Sequence, residues 1–249
     1  MGMAGHTPMN MEIHKRVFIA MHLNIHTLMA IITEQQNMTN FRRDMMVLQA
    51  WFSPAFPTGA FSYSHGLETA IHEGLVIDAS SLRSWISTLL LHGSGRNDGL
   101  FIKAAYEGDE EANTLCIALC ASKERSQETR ELGQAFSQIV NANYQTNLPD
   151  GQAYPVAVGL AAQAIGLDLK LTLQSYLQAF SANLISVGVR SIPIGQQAGQ
   201  DCLVKLYPLI EQAVANTANA SLDAVGNAAI LSDLVAMRHE TAVPRIYRT

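Results

Sequence analysis

Apolar residues recur along most of this chain at the spacing of one helix face. Leu82, Trp85, Ile86, Leu89 and Leu90 stand three or four positions apart, the periodicity of an amphipathic helix that Ser80 or Ser81 can cap. His92-Gly93-Ser94-Gly95 breaks that stripe. No Gly-Lys-Ser/Thr follows and no apolar strand precedes it, so these glycines end a helix rather than cradle a phosphate. Asn97 or Asp98 then caps a helix through Tyr106, Gly108 stops it, and Asp109-Glu110-Glu111 supplies the acidic residues that suit the next helix dipole. Lys123 to Glu131 is a run of alternating charge, with Glu124, Arg125, Glu128, Arg130 and Glu131 spaced for pairing along a solvated helix face, and Leu132, Phe136, Ile139 and Val140 continue an apolar stripe beneath it. Asn147-Leu148-Pro149-Asp150-Gly151 reads as a turn. Leu169, Leu173, Tyr176, Phe180, Leu184 and Val187 make the longest stripe, starting near Asp168 and ending at 188–191. Pro193 suits the first turn of a following helix that runs towards Glu211 with a kink at Pro208, 216–220 reads as a loop, and a last helix spans about 226–239. No strand pairs, repeats or heptads stand out. The pattern predicts an all-α, single-domain multi-helix bundle.

One segment departs from this periodicity. Ser-Pro-Ala-Phe-Pro-Thr-Gly-Ala-Phe-Ser-Tyr-Ser-His-Gly-Leu-Glu, residues 53–68, concentrates prolines, glycines and hydroxyls around Phe56, Phe61 and Tyr63. Pro54 and Pro57 fix φ and push the residues before them out of the α region. The stretch is therefore expected to be extended until about Gly59, anchored by its three aromatics, with helical periodicity resuming at Leu67 and Ile71. It reads as a shaped surface.

Composition narrows the function. An apolar fraction of 48% with 15% charge over 249 residues supports a sizeable core. A net charge of −5 and the lack of a basic stripe argue against nucleic-acid binding, which rests on neutralising phosphates. Cys116, Cys120 and Cys202 are an odd count set in apolar surroundings, the signature of buried thiols in a reducing, cytoplasmic compartment; a zinc corner would need further ligands nearby. Residues 1–44 differ from the rest. They hold seven of the ten methionines and four of the eight histidines, and their apolar stretch Val17 to Ile32 is too short and too interrupted to span a membrane. The segment reads as a non-matching extension: disordered, a start-site artefact or a metal-collecting tail.

Catalysis finds little support. Ser62, Ser64 and His65 lie together, but sequence neighbours seldom stand in hydrogen-bond register and no orienting carboxylate is identifiable. His65 and His72 could share a helix face, where two histidines more often cap or pack than ligate. No metal or cofactor site is predicted. Glu68 and Arg190 are charges in apolar or small-residue surroundings and need a partner or an interface.

Residues 53–68 are very similar to the N-terminal signature of the urease accessory protein UreF family. Arg238-His239-Glu240-Thr241 followed by Arg245-Ile246-Tyr247-Arg248 looks like its C-terminal signature, Ile194 to Gln200 is similar to a third, and the Lys123–Glu131 run resembles its Arg-Glu-Thr-containing helix. The resemblance covers Met46 to Thr249. It departs at Arg190-Ser191-Ile192-Pro193, where the family commonly has Lys-Leu-Val-Pro, and at Ala242-Val243-Pro244, where it more often has Gln-Tyr-Ser. It implies a non-enzymatic maturation factor, an all-α homodimer that binds UreD (also called UreH) and recruits the nickel-carrying GTPase UreG, so that nickel reaches the urease apoprotein. It also implies two alternatives, activation of the GTPase and direct nickel delivery. By matching position, the partner-binding residues implied are Pro57, Gly59, Phe61, Ser62, Tyr63, Gly66 and Glu68 in the first signature. In the third they are Arg190, Pro193, Gly195 and Gln196, and at the C-terminal end Arg238, His239, Glu240, Arg245, Tyr247 and Arg248. Simple loop shape accounts equally well for Pro57, Gly59 and Gly195.

Overall fold

The computed structural model describes the backbone from Met9 to Thr249 and side chains from Thr27 onward. Among these residues there are ten α-helices, two short 3-10 helices and no strand. The helices are α1 (Met9–Trp51), α2 (Leu67–His72), α3 (Ala79–His92), α4 (Ser94–Tyr106), α5 (Ala112–Ala118), α6 (Lys123–Tyr144), α7 (Tyr154–Ala164), α8 (Leu169–Ser191), α9 (Gly195–Ala218) and α10 (Ile230–His239). The chain divides into two compact units between Met46 and Val47.

In the first unit the described backbone, from Met9 onward, is helical, and Leu28, Met29, Ile31, Ile32, Met38 and Phe41 lie exposed along it. The histidine- and methionine-rich stretch singled out in the sequence lies largely outside the residues whose side chains are described. No helix among the described residues is long and apolar enough to cross a membrane.

The second unit is organised around α7. That helix is apolar on every side, with Val156, Ala157, Val158, Ala161 and Ala162 all buried, and such a helix can only sit at the centre of a bundle. It packs on α4 and α6. Close approach to α6 requires Gly133, because a Cβ there would stand 2.0 Å from the carbonyl oxygen of Gln152. α8 packs along α9, which also lies against α3. Trp51 meets Phe136 edge-on at 5.1 Å between centroids, closing the core at the end of α1.

Several local expectations are corrected. Residues 53–59 are turned, not extended: the Phe56 amide donates to the Ser53 carbonyl at 2.9 Å and the Ala55 amide to the Ser53 hydroxyl at 3.1 Å, because a proline's fixed φ suits a turn as well as a strand. The cap of α3 is Asp78, whose carboxylate accepts from the Ser81 amide at 2.8 Å while the Ser81 hydroxyl accepts from the Asp78 amide at 3.0 Å. Ser81 is thus the returning half of a capping box. α4 starts at Ser94, so Asn97 and Asp98 lie inside it. Pro193 precedes α9, which begins at Gly195, includes Pro208 and continues through Asn216 to Ala218. The caps at Asp168 and the turn near Asp150-Gly151 fall where the sequence puts them.

Candidate functional site

The first and last family signatures, some 180 positions apart in sequence, form one surface. After α10 the chain turns at a cis Val243-Pro244 peptide and lays residues 245–249 across the start of α2 and one face of α6. Its backbone is paired along its length. The Arg248 amide donates to the Ser62 carbonyl and the Ser64 amide to the Thr249 carbonyl, each at 2.9 Å, and the Ser64 hydroxyl donates to the same Thr249 oxygen. The Ile246 and Tyr247 amides both donate to the Glu68 carboxylate, at 2.7 and 2.9 Å.

Local geometry explains why this crossing is possible. His65 and Gly66 have φ of 54° and 77°, which turns the chain abruptly into α2. Gly66 is required twice over, since a Cβ there would also approach the Ala236 backbone nitrogen of α10 to 2.9 Å. Tyr247 is buried and carries the Arg190 guanidinium over its ring at 5.1 Å, so the end of α8 joins the tail. Arg248 lies over the Tyr63 ring at the same distance.

The remaining contacts are carboxylates, and most come from one face of α6. Glu124, Glu128 and Glu131 follow one another at helical spacing. Glu124 holds Arg245 and, at 2.7 Å, Nδ1 of His239; Glu128 accepts from the Thr249 hydroxyl at 2.7 Å; Glu131 pairs with Arg248 at 2.8 Å and accepts from the Tyr63 hydroxyl at 2.7 Å. His239 is fully enclosed, and its Nε2 faces Glu68 at 3.2 Å. Glu240 accepts from the Lys123 amide at the start of α6 at 2.7 Å, and Arg238 pairs with Glu73 at 2.6 Å.

This geometry fixes the charge states. Burial acts to raise the Glu68 carboxyl, but the Tyr247 and Ile246 amides and the His239 ring outweigh it and hold it below its usual value. Glu128, 2% exposed, is treated likewise: burial raises it, and Arg125 and His65 more than compensate. Glu131 is lowered chiefly by the Tyr63 hydroxyl, while Tyr63 is raised, first by burial and then by that bond. Burial pushes His65 down to about 4, so its ring is neutral and its Nε2 donates to Glu128 at 3.1 Å.

The structure therefore brings together Ser62, Tyr63, Gly66, Glu68, Arg190, Arg238, His239, Glu240, Arg245, Tyr247 and Arg248. Pro57 and Gly59 shape the turn ahead of them, and Pro193, Gly195 and Gln196 lie exposed at the corner between α8 and α9. Phe61 is not an anchor; it is exposed, whereas Phe56 packs on Phe136 and Tyr63 is buried. The expected solvated face of α6 is instead largely the floor beneath the tail. The sequence shows the i, i+4, i+7 spacing of Glu124, Glu128 and Glu131 but no sign of the basic tail that covers them. Ser64 and Thr249 were missed as latch residues because hydroxyls are common in loops. The Ser64 hydroxyl and the His65 ring are both directed into these structural contacts, away from one another's chemistry. Cys116, Cys120 and Cys202 are free thiols, and burial raises all three. No group of three or more potential metal-ligating side chains is found among the described residues.

The UreF family model matches residues 76–207. A urease accessory protein UreF of Cereibacter sphaeroides is 50% identical over 207 residues, spanning 82% of this chain and 98% of the relative. UreF of Ruegeria pomeroyi is 44% identical over 217 residues, 85% of this chain and 99% of the relative, and that of a Bradyrhizobium strain 40% identical over 217 residues, 81% and 90%. With the signatures joined in one surface and relatives matched over nearly their whole length, this chain belongs to the UreF family of urease accessory proteins.

Proposed function

We propose that this chain is an assembly scaffold for the urease metallocentre, holding UreD on one side and the nickel-carrying GTPase UreG on another while nickel is delivered to the urease apoprotein. The observation that carries the reading is the docked tail. Its polar groups are satisfied internally by Glu68, Glu124, Glu128 and Glu131, so its order does not depend on a partner, and it presents outward apolar side chains beside partly exposed arginines. Val243 and Ile246 are 91% and 84% exposed, and α10 beside them exposes Ile230, Leu231, Leu234 and Met237. An apolar surface of this kind, rimmed by charge, fits a protein partner.

UreD is assigned to the α10 face and UreG to the arginine edge formed by Arg190, Arg245 and Arg248, whose side chains remain partly exposed. Arginine suits that edge, because its planar fork matches carboxylates on an incoming surface. Pro57, Gly59, Phe61, Pro193, Gly195 and Gln196 are assigned to the margins of the same contacts. The working form is a cytoplasmic homodimer with no catalytic residue of its own. Reconstitution from purified components tests the assignment: the chain should retain UreD and UreG together on an affinity resin, and failure to retain either at micromolar concentrations contradicts it.

A further inference from the structure

Of the three aromatics in the first signature, one is left outside the core. Phe56 packs on Phe136 and Tyr63 is buried with its hydroxyl on Glu131, but the Phe61 ring is 60% exposed. Its backbone is nevertheless held firmly. One side chain of α8, Asn183, brackets the 3-10 turn Ala60–Ser62: its carboxamide nitrogen donates to the Ala60 carbonyl at 3.3 Å and to the Tyr63 carbonyl at 3.2 Å. That nitrogen has two hydrogens, and each carbonyl receives one. Gly59, with φ of 78°, turns the chain into this bracket, and the Arg248 amide ties the Ser62 carbonyl at 2.9 Å. The exposed ring therefore stands on a fixed base. It is also continuous with the arginine edge, because Arg248 lies over the neighbouring Tyr63 ring and Arg190, two turns beyond Asn183 on α8, lies over Tyr247.

We infer that Asn183 is a positioning residue for the UreG contact: by bracketing residues 60–63 it presents the Phe61 ring, already ordered, to an apolar cleft of UreG whose bordering carboxylates meet Arg248 and Arg190. The inference rests on the scaffold reading above and extends its arginine edge to Phe61. Aromatic rings and arginines are the side chains that dominate interface energies, and a ring ordered before binding forfeits less entropy on association. Asn183 is half-buried and gives both hydrogens to the turn, so it acts through Phe61 rather than by touching the partner.

A double-mutant cycle on the full chain, read as affinity for UreG and separately for UreD, tests this. Phe61→Ala, at an exposed position that the fold tolerates, should weaken UreG about tenfold or more and leave UreD unchanged. Asn183→Ala should weaken UreG about threefold to tenfold and speed exchange of the Ser62 and Tyr63 amides. In the Phe61→Ala background, Asn183→Ala should cost nothing further in UreG affinity, because the ring it positions is gone; a general structural defect would add its loss again. Asn183→Asp, which keeps the shape but removes the donors, should behave as Asn183→Ala does. Wild-type affinity for UreG in the Phe61 or Asn183 variants overturns the proposal, as does an Asn183 effect of equal size in both backgrounds or an equal loss of UreD. A wild-type chain that binds UreD but not UreG contradicts the scaffold reading and this inference with it, whereas a wild-type chain that binds both, matched by its variants, contradicts this inference alone.

Discussion

Glu68 shows how a single residue changes meaning between sequence and structure. Beside a proline- and glycine-rich signature, a carboxylate in apolar surroundings reads as an interface group. In the fold it accepts from the Ile246 and Tyr247 amides and faces His239, so its first role is internal. Glu68→Ala should therefore cost about 1–3 kcal/mol in urea unfolding, the range for charge-assisted bonds, and should speed amide exchange at Ile246 and Tyr247. Unchanged protection of those amides contradicts the role. Arg245 is the converse case: it rests on Glu124 but stays nearly half exposed, available to a partner. Arg245→Ala should keep UreD in a pull-down while weakening UreG by ~2 kcal/mol, roughly thirtyfold, as expected for an interface arginine. Calorimetric titration with each partner separates the two effects.

Among the elements, α6 carries the most consequence. Its apolar stripe is plain in the sequence, since Leu132, Phe136 and Val140 follow helical spacing. What the charged face meets is not, because its partners lie far away along the chain and local periodicity carries no such information. The same limit hid the true path of 53–59, where proline permits both turn and strand, and the continuation of α9 through Asn216, where packing of Val214 and Thr217 overrides weak propensity. The pH response of this face follows from its charge states. Glu68, Glu128 and Glu131 are all depressed, so each stabilises the fold above the usual carboxylate range and loses that contribution as pH falls through its lowered value. His65 acts in the same direction: neutral when folded down to about 4 but protonated below 6.5 when unfolded, it removes stability as pH drops between those values. Asp98, raised by burial to about 6, opposes this below that pH. Tm should fall from pH 7 towards pH 4, and His65→Gln should flatten the upper part of that decline; a rising Tm contradicts these assignments. At the α6–α7 crossing, Gly133→Ala should cost about 1–3 kcal/mol or more by overpacking, because its new methyl meets the Gln152 backbone. Thermal melts will show whether it does.

At the scale of the whole molecule, the helical class and the family were legible from periodicity and from short signatures. The joining of those signatures into one surface was not, since nothing local in 53–68 announces the tail from 245–249. The division near Met46 bears on how much of the chain is needed. Removing residues 1–44 leaves Leu48 and Trp51 to close the core, so Tm and urease activation should be nearly unchanged; a large loss of either would assign that segment a structural part. The central claim is that the docked tail and α10 present an apolar face to UreD. Replacing Leu234 and Met237 together by glutamate places two charges on that face at positions already exposed, where the fold itself should tolerate them. Titration of UreD into the wild-type and doubly substituted chains is the most direct measurement. The account predicts an unchanged Tm with affinity reduced by tenfold or more, at least about 1.4 kcal/mol, and equal affinities for the two chains would contradict it.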